Sequence, residues 1–136
     1  MQSKLKFKNF VVPKFLFEKI EIENNEELFD IIPQAILSYK KKQFHINIDI
    51  EIIDIKNSFV IKMLAVGIFE FEKIEDNILK SFISVNGLAI IFPYIRAFIS
   101  SYTALSGFDT ITLPTLNLTS FKDSILEELI ILEDEE

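Results

Sequence analysis

Residues 44–52 read FHINIDIEI, and this stretch decides the fold because apolar and polar side chains alternate along it. Phe44 and the isoleucines at every second position after it face one way, while polar residues such as His45 face the other. A period of two over this length predicts a strand with one buried and one exposed face. Lys56-Asn57-Ser58 predict a turn, so a second strand should return beside the first.

The predicted second strand covers residues 59–72, FVIKMLAVGIFEFE, and it is apolar on both faces in its middle. Such a strand needs cover on its second face as well as its first. Residues 14–24 (KFLFEKIEIEN) predict a shorter strand with a bulge near residues 17–19, where the alternation changes phase. Residues 35–39 predict a fourth strand, and the lysines at 40–42 predict the turn after it.

An apolar segment connects two of these predicted strands. It contains Leu28, Phe29, Ile31 and Ile32, and it ends at Pro33. Connecting loops are usually solvated, so a segment this apolar either packs beneath another element or forms the lip of a binding surface. The sequence leaves both interpretations open.

The last part of the chain predicts helices. Residues 75–82 predict a short helix that Asn86-Gly87 breaks. Pro93 suits the first turn of a longer helix, where its missing N–H costs nothing. The apolar residues at helical spacing in that helix are Ile95, Phe98, Ile99, Tyr102 and Leu105. Gly107 predicts its C-terminal cap.

A final helix is predicted near the C-terminal end. Ser120 and Asp123 have the spacing of a capping box. One stripe of this helix contains Phe121, Ile125, Leu129 and Leu132. Together these patterns predict one α+β domain over residues 1–136, with a four-stranded antiparallel sheet and two main C-terminal helices.

Composition excludes several classes of protein. The absence of cysteine excludes disulfide frameworks, thiolate nucleophiles and cysteine-based metal sites. A net charge of −7 disfavours nucleic acid and anionic membranes as partners; it either attracts basic unfolded chains or serves solubility alone. The N-terminal residues lack a secretory signal, and residues 87–100, the most apolar stretch, are too short to span a bilayer. We therefore expect a soluble, cytoplasmic protein.

Catalytic chemistry finds little support in the sequence. The one histidine, His45, lies on the polar side of its strand, which favours a solvated residue over a general base or metal ligand. Carboxylates spaced by two, such as Glu70 and Glu72, favour a solvated sheet face over acid–base catalysis. Three glycines in the whole chain do not support a phosphate-binding loop. We predict no catalytic site, no metal site and no cofactor.

Phenylalanine is unusually frequent, with 14 copies and no tryptophan. A domain of this size buries a limited number of large side chains, so this set fills the core and also supplies exposed or interfacial surface. The spacing of Phe98, Tyr102 and Leu105 is more typical of helix packing than of a ligand site.

A more specific pattern begins with Ile91-Phe92-Pro93-Tyr94-Ile95-Arg96. It continues with Gly107-Phe108, Leu113-Pro114, Asn117 and Phe121. This pattern resembles the C-terminal half of the SecB export chaperones. The chain departs from the family's pattern at Ile95, which replaces a small residue, and at Leu118, which replaces an aromatic one.

The resemblance implies helices packed on one face of the sheet and a homotetramer, a dimer of dimers, with the long helices at its centre. Phe98, Tyr102 and Leu105 would then lie at the oligomer interface. It also implies a non-enzymatic chaperone that holds unfolded polypeptides, including preproteins for export, in apolar grooves. The implied client-binding residues are Leu28, Phe29, Ile31, Ile32, Ile125 and Leu129. No motif in the chain could hydrolyse a nucleotide, so we expect binding without ATP.

SecB proteins that deliver clients to the SecA motor use acidic residues on the exposed sheet face, and the resemblance places Glu23 at one such position. Lys19 and Lys62 occupy two others, and this charge reversal opposes SecA docking. A second hypothesis is therefore a SecB-like protein that protects the antitoxin of a toxin–antitoxin system. A small hydrophobic-ligand carrier and a structural subunit with one fixed partner are two further hypotheses.

Overall fold

The computed structural model describes residues 4–21 and 26–132, and within them the chain forms a five-stranded sheet and a helical C-terminal part. The strands are β1 (Leu5–Lys19), β2 (Leu28–Ser38), β3 (Gln43–Asp54), β4 (Phe59–Phe71) and β5 (Ile130–Ile131). The helices are α1 (Asp76–Ser81), α2 (Gly87–Leu105) and α3 (Lys122–Glu127). A π-helical turn, Phe82–Asn86, joins α1 to α2, and a 3₁₀ turn, Leu118–Phe121, precedes α3. The predicted α+β class is confirmed.

The strand order across the sheet is β1-β4-β3-β2-β5. Four strands pair antiparallel as predicted, and β5 adds to the edge of β2 in parallel. The predicted count of four was therefore one short among the described residues. A two-residue strand leaves no alternating pattern in the sequence, so periodicity could not reveal it.

The alternating stretch that begins at Phe44 lies in β3, near the middle of the sheet. Phe44, Ile46 and Ile48 are fully buried, and the polar residues between them lie on the other face. The predicted turn after β3 is confirmed at residues 55–58, where the Ser58 N–H donates to the Ile55 carbonyl at 3.3 Å.

β1 is longer than predicted and begins nearer the N-terminus. Its ladder with β4 shifts register at Lys8 and again at Val12–Pro13. The predicted bulge near residues 17–19 was wrong, because the pairing there is regular. Pro13 cannot donate to a ladder, which explains why the second irregularity lies at this residue.

The apolar segment after residue 27 is a strand and not a connection. β2 begins at Leu28 and pairs with β3 from Leu28 opposite Ile53 to Ser38 opposite Gln43. Pro33 lies inside this strand, which places it next to the edge of the sheet as expected for proline. Residues 39–42 form the predicted lysine-rich turn.

The predicted helix break at Asn86-Gly87 was wrong. α1, the π-helical turn and α2 form one continuous helical run, so Pro93 lies inside the helix and not in its first turn. Gly87 is buried, and a Cβ on it would lie 2.5 Å from Ile46 Cδ1. This glycine is required by close packing of the helix on the sheet. The predicted cap at Gly107 is confirmed: its φ is +85°, and the Phe108 N–H donates to the Thr103 carbonyl.

The final helix is shorter than predicted. α3 ends at Glu127, so Leu129 and Leu132 lie outside it. The predicted capping box does not form, because the Ser120 hydroxyl donates to the Asn117 carbonyl at 2.8 Å. That bond stabilises the 3₁₀ turn that leads into α3.

The described helices pack on one face of the sheet, as the resemblance implied. One hydrophobic cluster joins the inner faces of the strands to buried residues of α2, including Ile91, Ile95 and Ile99. Gly67 of β4 lies directly beneath Ile91, because a Cβ on it would be 2.3 Å from the Ile91 Cδ1 atom. The opposite face of the sheet is not covered by any described helix.

The continuous run Asp76–Leu105 has 30 residues and a mean hydropathy of 1.7 in its most apolar window. By length and composition alone this helix could cross a membrane, so the sequence argument that the segment is too short does not hold. The core helix of a soluble protein passes the same test, and 44% of that window is buried in the fold.

Candidate functional site

A groove of about 350 Å³ opens where β2 begins. Its lining comes from the start of β2 and from the 3₁₀ turn with the residues before it. The lining residues are Phe29, Asp30, Ile31, Leu116, Asn117, Ser120 and Phe121. Four of the seven side chains are apolar, so this groove presents apolar surface that is open to solvent.

The irregular passage after α2 forms one wall of the groove, and two hydroxyls of α2 fix it in place. Ser100 Oγ donates to the Ile111 carbonyl at 2.8 Å, and the Ile111 N–H donates to Thr103 Oγ1 at 3.0 Å. Leu113, two residues further along, is buried in the core. The wall is therefore held rigidly although it has no regular secondary structure.

Strand geometry divides the four residues predicted to form one binding lip. Phe29 and Ile31 point to the helix-covered side and line the groove. Leu28 and Ile32 point to the opposite face, since successive side chains of a strand alternate. Phe29 is 40% exposed and Ile32 is 56% exposed, so both faces of this strand end carry accessible apolar surface.

The two residues predicted on the last helix have different environments. Ile125 is fully buried, so its side chain belongs to the core and supports the groove from beneath. Leu129 follows α3 and is half-buried against the core. The sequence did not single out Leu126, Ile130 and Ile131, which are exposed beside them. Leu126 lies on the outer side of α3, and Ile130 and Ile131 follow its early end, which no pattern in the sequence showed.

α2 carries the predicted oligomer interface on its solvent side. Phe98 and Tyr102 both pack against Phe15 of β1, with ring centroids 4.9 and 4.6 Å away. Tyr102 nevertheless keeps 40% of its surface exposed, and Leu105 keeps 88%. Leu105 contributes almost nothing to the fold of the monomer.

The uncovered face of the sheet holds a second, larger cavity of about 420 Å³. Its apolar lining includes Leu16, Ile32 and Leu64. Lys62 lies on this face in an exposed ion pair with Glu51, with 3.8 Å between the Nζ and Oε2 atoms. Lys19 donates instead to the Asn57 carbonyl at the turn after β3. Glu23, the predicted docking residue, lies outside the described residues.

Ionisable groups outside the groove, His45 and the trio Tyr39, Asp76 and Lys80, have shifted pKa values with structural causes. Burial, and then the positive charge of Lys41, lower the pKa of His45 on the uncovered face. The Tyr39 hydroxyl donates to the Asp76 carboxylate, which also pairs with Lys80 at 2.9 Å. The hydrogen bond from Tyr39 lowers the pKa of Asp76 and raises that of Tyr39. These contacts tie the turn after β2 to the first turn of α1.

Metal binding has no support in residues 4–21 and 26–132, which contain no group of three or more potential ligands. The groove is likewise poor in ionisable groups, since Asp30 is the only one among its lining residues. The arrangement can bind apolar side chains.

Comparison with models of known protein families identifies the family of the chain. The family described as "Preprotein translocase subunit SecB" matches residues 31–125. The chain belongs to the SecB family. The matched range of this SecB-family chain begins at Ile31 in the groove and ends at Ile125 beneath it, so it contains β3, β4 and the long helix.

A curated relative of this SecB-family protein is an uncharacterized protein, MJ0357, of Methanocaldococcus jannaschii. The two are 30% identical over 145 residues, which cover 90% of this chain and 85% of the relative. Among solved structures, the SecB-like chaperone Rv1957 of Mycobacterium tuberculosis, in complex with a ChAD peptide from the HigA1 antitoxin Rv1956, shares the fold. The TM-score is 0.64 at 13% identity, and the match covers 84% of this chain and 88% of Rv1957.

Proposed function

We propose that this SecB-family protein is a molecular chaperone that holds unfolded polypeptides on apolar surface. The observation that carries the proposal is the open groove at the start of β2, where Phe29 stays exposed above a filled core. Membership of the SecB family supports it. The groove recognises apolar side chains and extended backbone, because four of its seven lining residues are apolar.

The free energies involved are consistent with reversible binding of long clients. A micromolar dissociation constant corresponds to about −8 kcal/mol. Burying one large apolar side chain gains roughly 1.5–3 kcal/mol, and ordering a disordered client costs several kcal/mol. About five to eight client side chains are therefore needed. A groove of about 350 Å³ cannot hold that many, so a client extends over neighbouring surface such as Leu126 and Ile130.

We propose that binding needs no ATP and that the protein is not an enzyme. The described part of the groove offers four apolar side chains, a single carboxylate, one amide and one hydroxyl, a set that lacks the cationic groups that hold nucleotide phosphates. Release then depends on the client folding or passing to another protein.

We also propose that the chain assembles as a homotetramer through α2. An exposed apolar stripe of this kind is typical of a surface that another subunit covers. Tyr94 and Tyr102 remain partly exposed although their rings contact phenylalanines of β1, and Leu105 is exposed almost completely. In an assembly, client segments could pass from the groove of one subunit to the groove of the next.

From membership of the SecB family, we propose that the clients are preproteins for export. The second candidate is control of an antitoxin. It is supported by the shared fold with Rv1957, which was solved with an antitoxin peptide, and by Lys62 on the uncovered sheet face, where SecA docking calls for acidic residues. The hypothesis of a small-ligand carrier gains no support, because side chains fill the space between sheet and helix.

Opposite faces of β2 supply a matched pair of variants to test the groove. We expect the purified protein to suppress aggregation of an unfolded client, measured by light scattering at equal concentrations. Phe29→Ala removes an apolar side chain from the groove. The protein concentration needed to suppress aggregation should therefore rise about tenfold. Ile32→Ala removes a comparable exposed side chain from the other face and should leave suppression unchanged.

A wild-type protein without effect on aggregation would contradict the chaperone proposal. If both variants bind clients as wild type does, the groove is not the client site. If Ile32→Ala alone weakens suppression, clients bind the uncovered face of the sheet.

A further inference from the structure

β5 covers only a short part of the sheet edge formed by β2. It runs parallel to β2, with Ile130 opposite Ile36 and Ile131 opposite Leu37. The Leu132 N–H donates to the Leu37 carbonyl at 2.8 Å. A ladder this short supplies little stability of its own, so something further is needed to hold it against the edge.

The direction of β5 leads the chain toward the turn after β2. The Gln34 side chain donates to the Glu128 carbonyl, 94 residues further along, and β5 pairs with β2 at this same offset. Because the two strands are parallel, the described part of β5 ends at Leu132, beside the end of β2 where residues 39–42 form the turn. A strand advances about 3.3 Å per residue, so the turn is within reach of a few residues.

Lysines form the turn at this end of the sheet, and the Asp76 carboxylate beside it is already bound by Tyr39 and Lys80. Lys40, Lys41 and Lys42 form the turn, and all three are exposed. Lys4 lies at the same end, because its carbonyl accepts from the Glu72 N–H at the end of β4. No carboxylate within the described ranges forms an ion pair with Lys41 or Lys42.

The residues that follow Leu132 in the sequence are Glu133-Asp134-Glu135-Glu136. We propose that the lysine turn, Lys40–Lys42, is a docking surface for this acidic segment, and that their attraction fastens β5 to the edge of β2. The chain thereby closes a sheet edge that would otherwise accept strands from other molecules.

The chain's own segment fits this surface better than a separate polyanion does. A net charge of −7 repels free acidic partners at long range. A tethered segment avoids that barrier, because its effective concentration at the turn is set by the short link from Leu132. The attraction is between exposed charges and is therefore screened by salt.

Amide hydrogen exchange at Leu132 tests the contact. Lys41→Glu with Lys42→Glu should speed exchange of this amide about three- to tenfold at low salt, since each exposed pair is weak. Reversing the four acidic residues to lysine should have the same effect. Combining both sets restores opposite charges and should return exchange to the wild-type rate.

Two controls separate the contact from general destabilisation. Lys14→Glu with Lys56→Glu makes the same charge change elsewhere and should leave Leu132 exchange unchanged. The buried amide of Ile48 in β3 should exchange at the wild-type rate in every variant. Unchanged Leu132 exchange in the charge-reversed variants, or failure of the combined variant to restore it, would overturn the proposal. Raising salt to about 0.5 M should speed Leu132 exchange in the unmodified protein, where the Debye length falls to a few ångströms.

Discussion

At the scale of single residues, two glycines have different structural roles, and their surroundings in the fold determine which. Gly87 suggested a helix break, yet it lies inside a continuous helix because Ile46 occupies the space that a side chain would need. Gly107 suggested a cap and is one, with a φ of +85° and open space for 4 Å around the position that a Cβ would take. The first glycine is required by packing and the second by backbone conformation.

The lowered pKa of His45 predicts how the free energy of unfolding changes with pH. Its pKa is lowered in the folded state, first by burial and then by the charge of Lys41. The unfolded chain therefore binds a proton more readily. The contribution to stability is complete above the ordinary histidine value of 6.5 and is lost as the pH falls through the lower, folded pKa.

The matched variant is His45→Gln, which cannot titrate. Urea unfolding at pH 7.5 and at pH 5.5 should show a smaller loss of unfolding free energy in the variant than in wild type. Carboxylates titrate equally in both proteins and cancel in the comparison. A variant that loses as much stability as wild type would show that His45 does not sense pH in this fold.

At the scale of elements, β2 shows how a correct observation can be assigned to the wrong structure. Its first half is apolar on both faces, so the alternating pattern that marks β3 is missing. The predicted binding lip treated Leu28, Phe29, Ile31 and Ile32 as one surface. In the strand, the side chain of Phe29 lines the groove and that of Ile32 points to the other face of the sheet.

The end of α2 supplies a prediction for a helix terminus. Gly107→Ala forces an L side chain into the left-handed region and should lower the free energy of unfolding by about 1–2 kcal/mol. No steric clash contributes, because a Cβ at this position meets nothing within 4 Å. Gly107→Asn is the control and should cost less, since asparagine tolerates this conformation better. Equal stability of all three proteins by urea unfolding would show that the cap does not stabilise α2.

At the scale of the whole molecule, the fold leaves apolar surface in places that its own core does not use. The groove and the residues after α3 lie near β2, whereas the exposed residues of α2 lie near β1 at the opposite side of the sheet. Surface of this kind favours association, and we propose that clients bind at the groove and further copies of the chain at α2. If so, variants can alter the proposed assembly and the proposed client binding independently.

Leu105 tests assembly without disturbing the fold. It is 88% exposed in the single chain, so Leu105→Glu should keep the unfolding temperature of the monomer while reducing the mass measured under native conditions from tetramer to smaller species. Ile78→Glu makes the same change at an exposed position in α1, away from the stripe, and should keep the tetrameric mass. A wild-type protein that is monomeric at all concentrations would exclude assembly through α2.

The sequence by itself determined the α+β class, the β3–β4 hairpin and the helix cap at Gly107, because period-two alternation and glycine at positive φ are local properties. It also carried the SecB pattern at residues 91–96. Only the tertiary structure decided that β2 starts at Leu28, that one helix runs through Gly87, and that Ile125 is core while Leu126 is surface. These features depend on which residues of distant segments come into contact, and spacing along the chain does not contain that information.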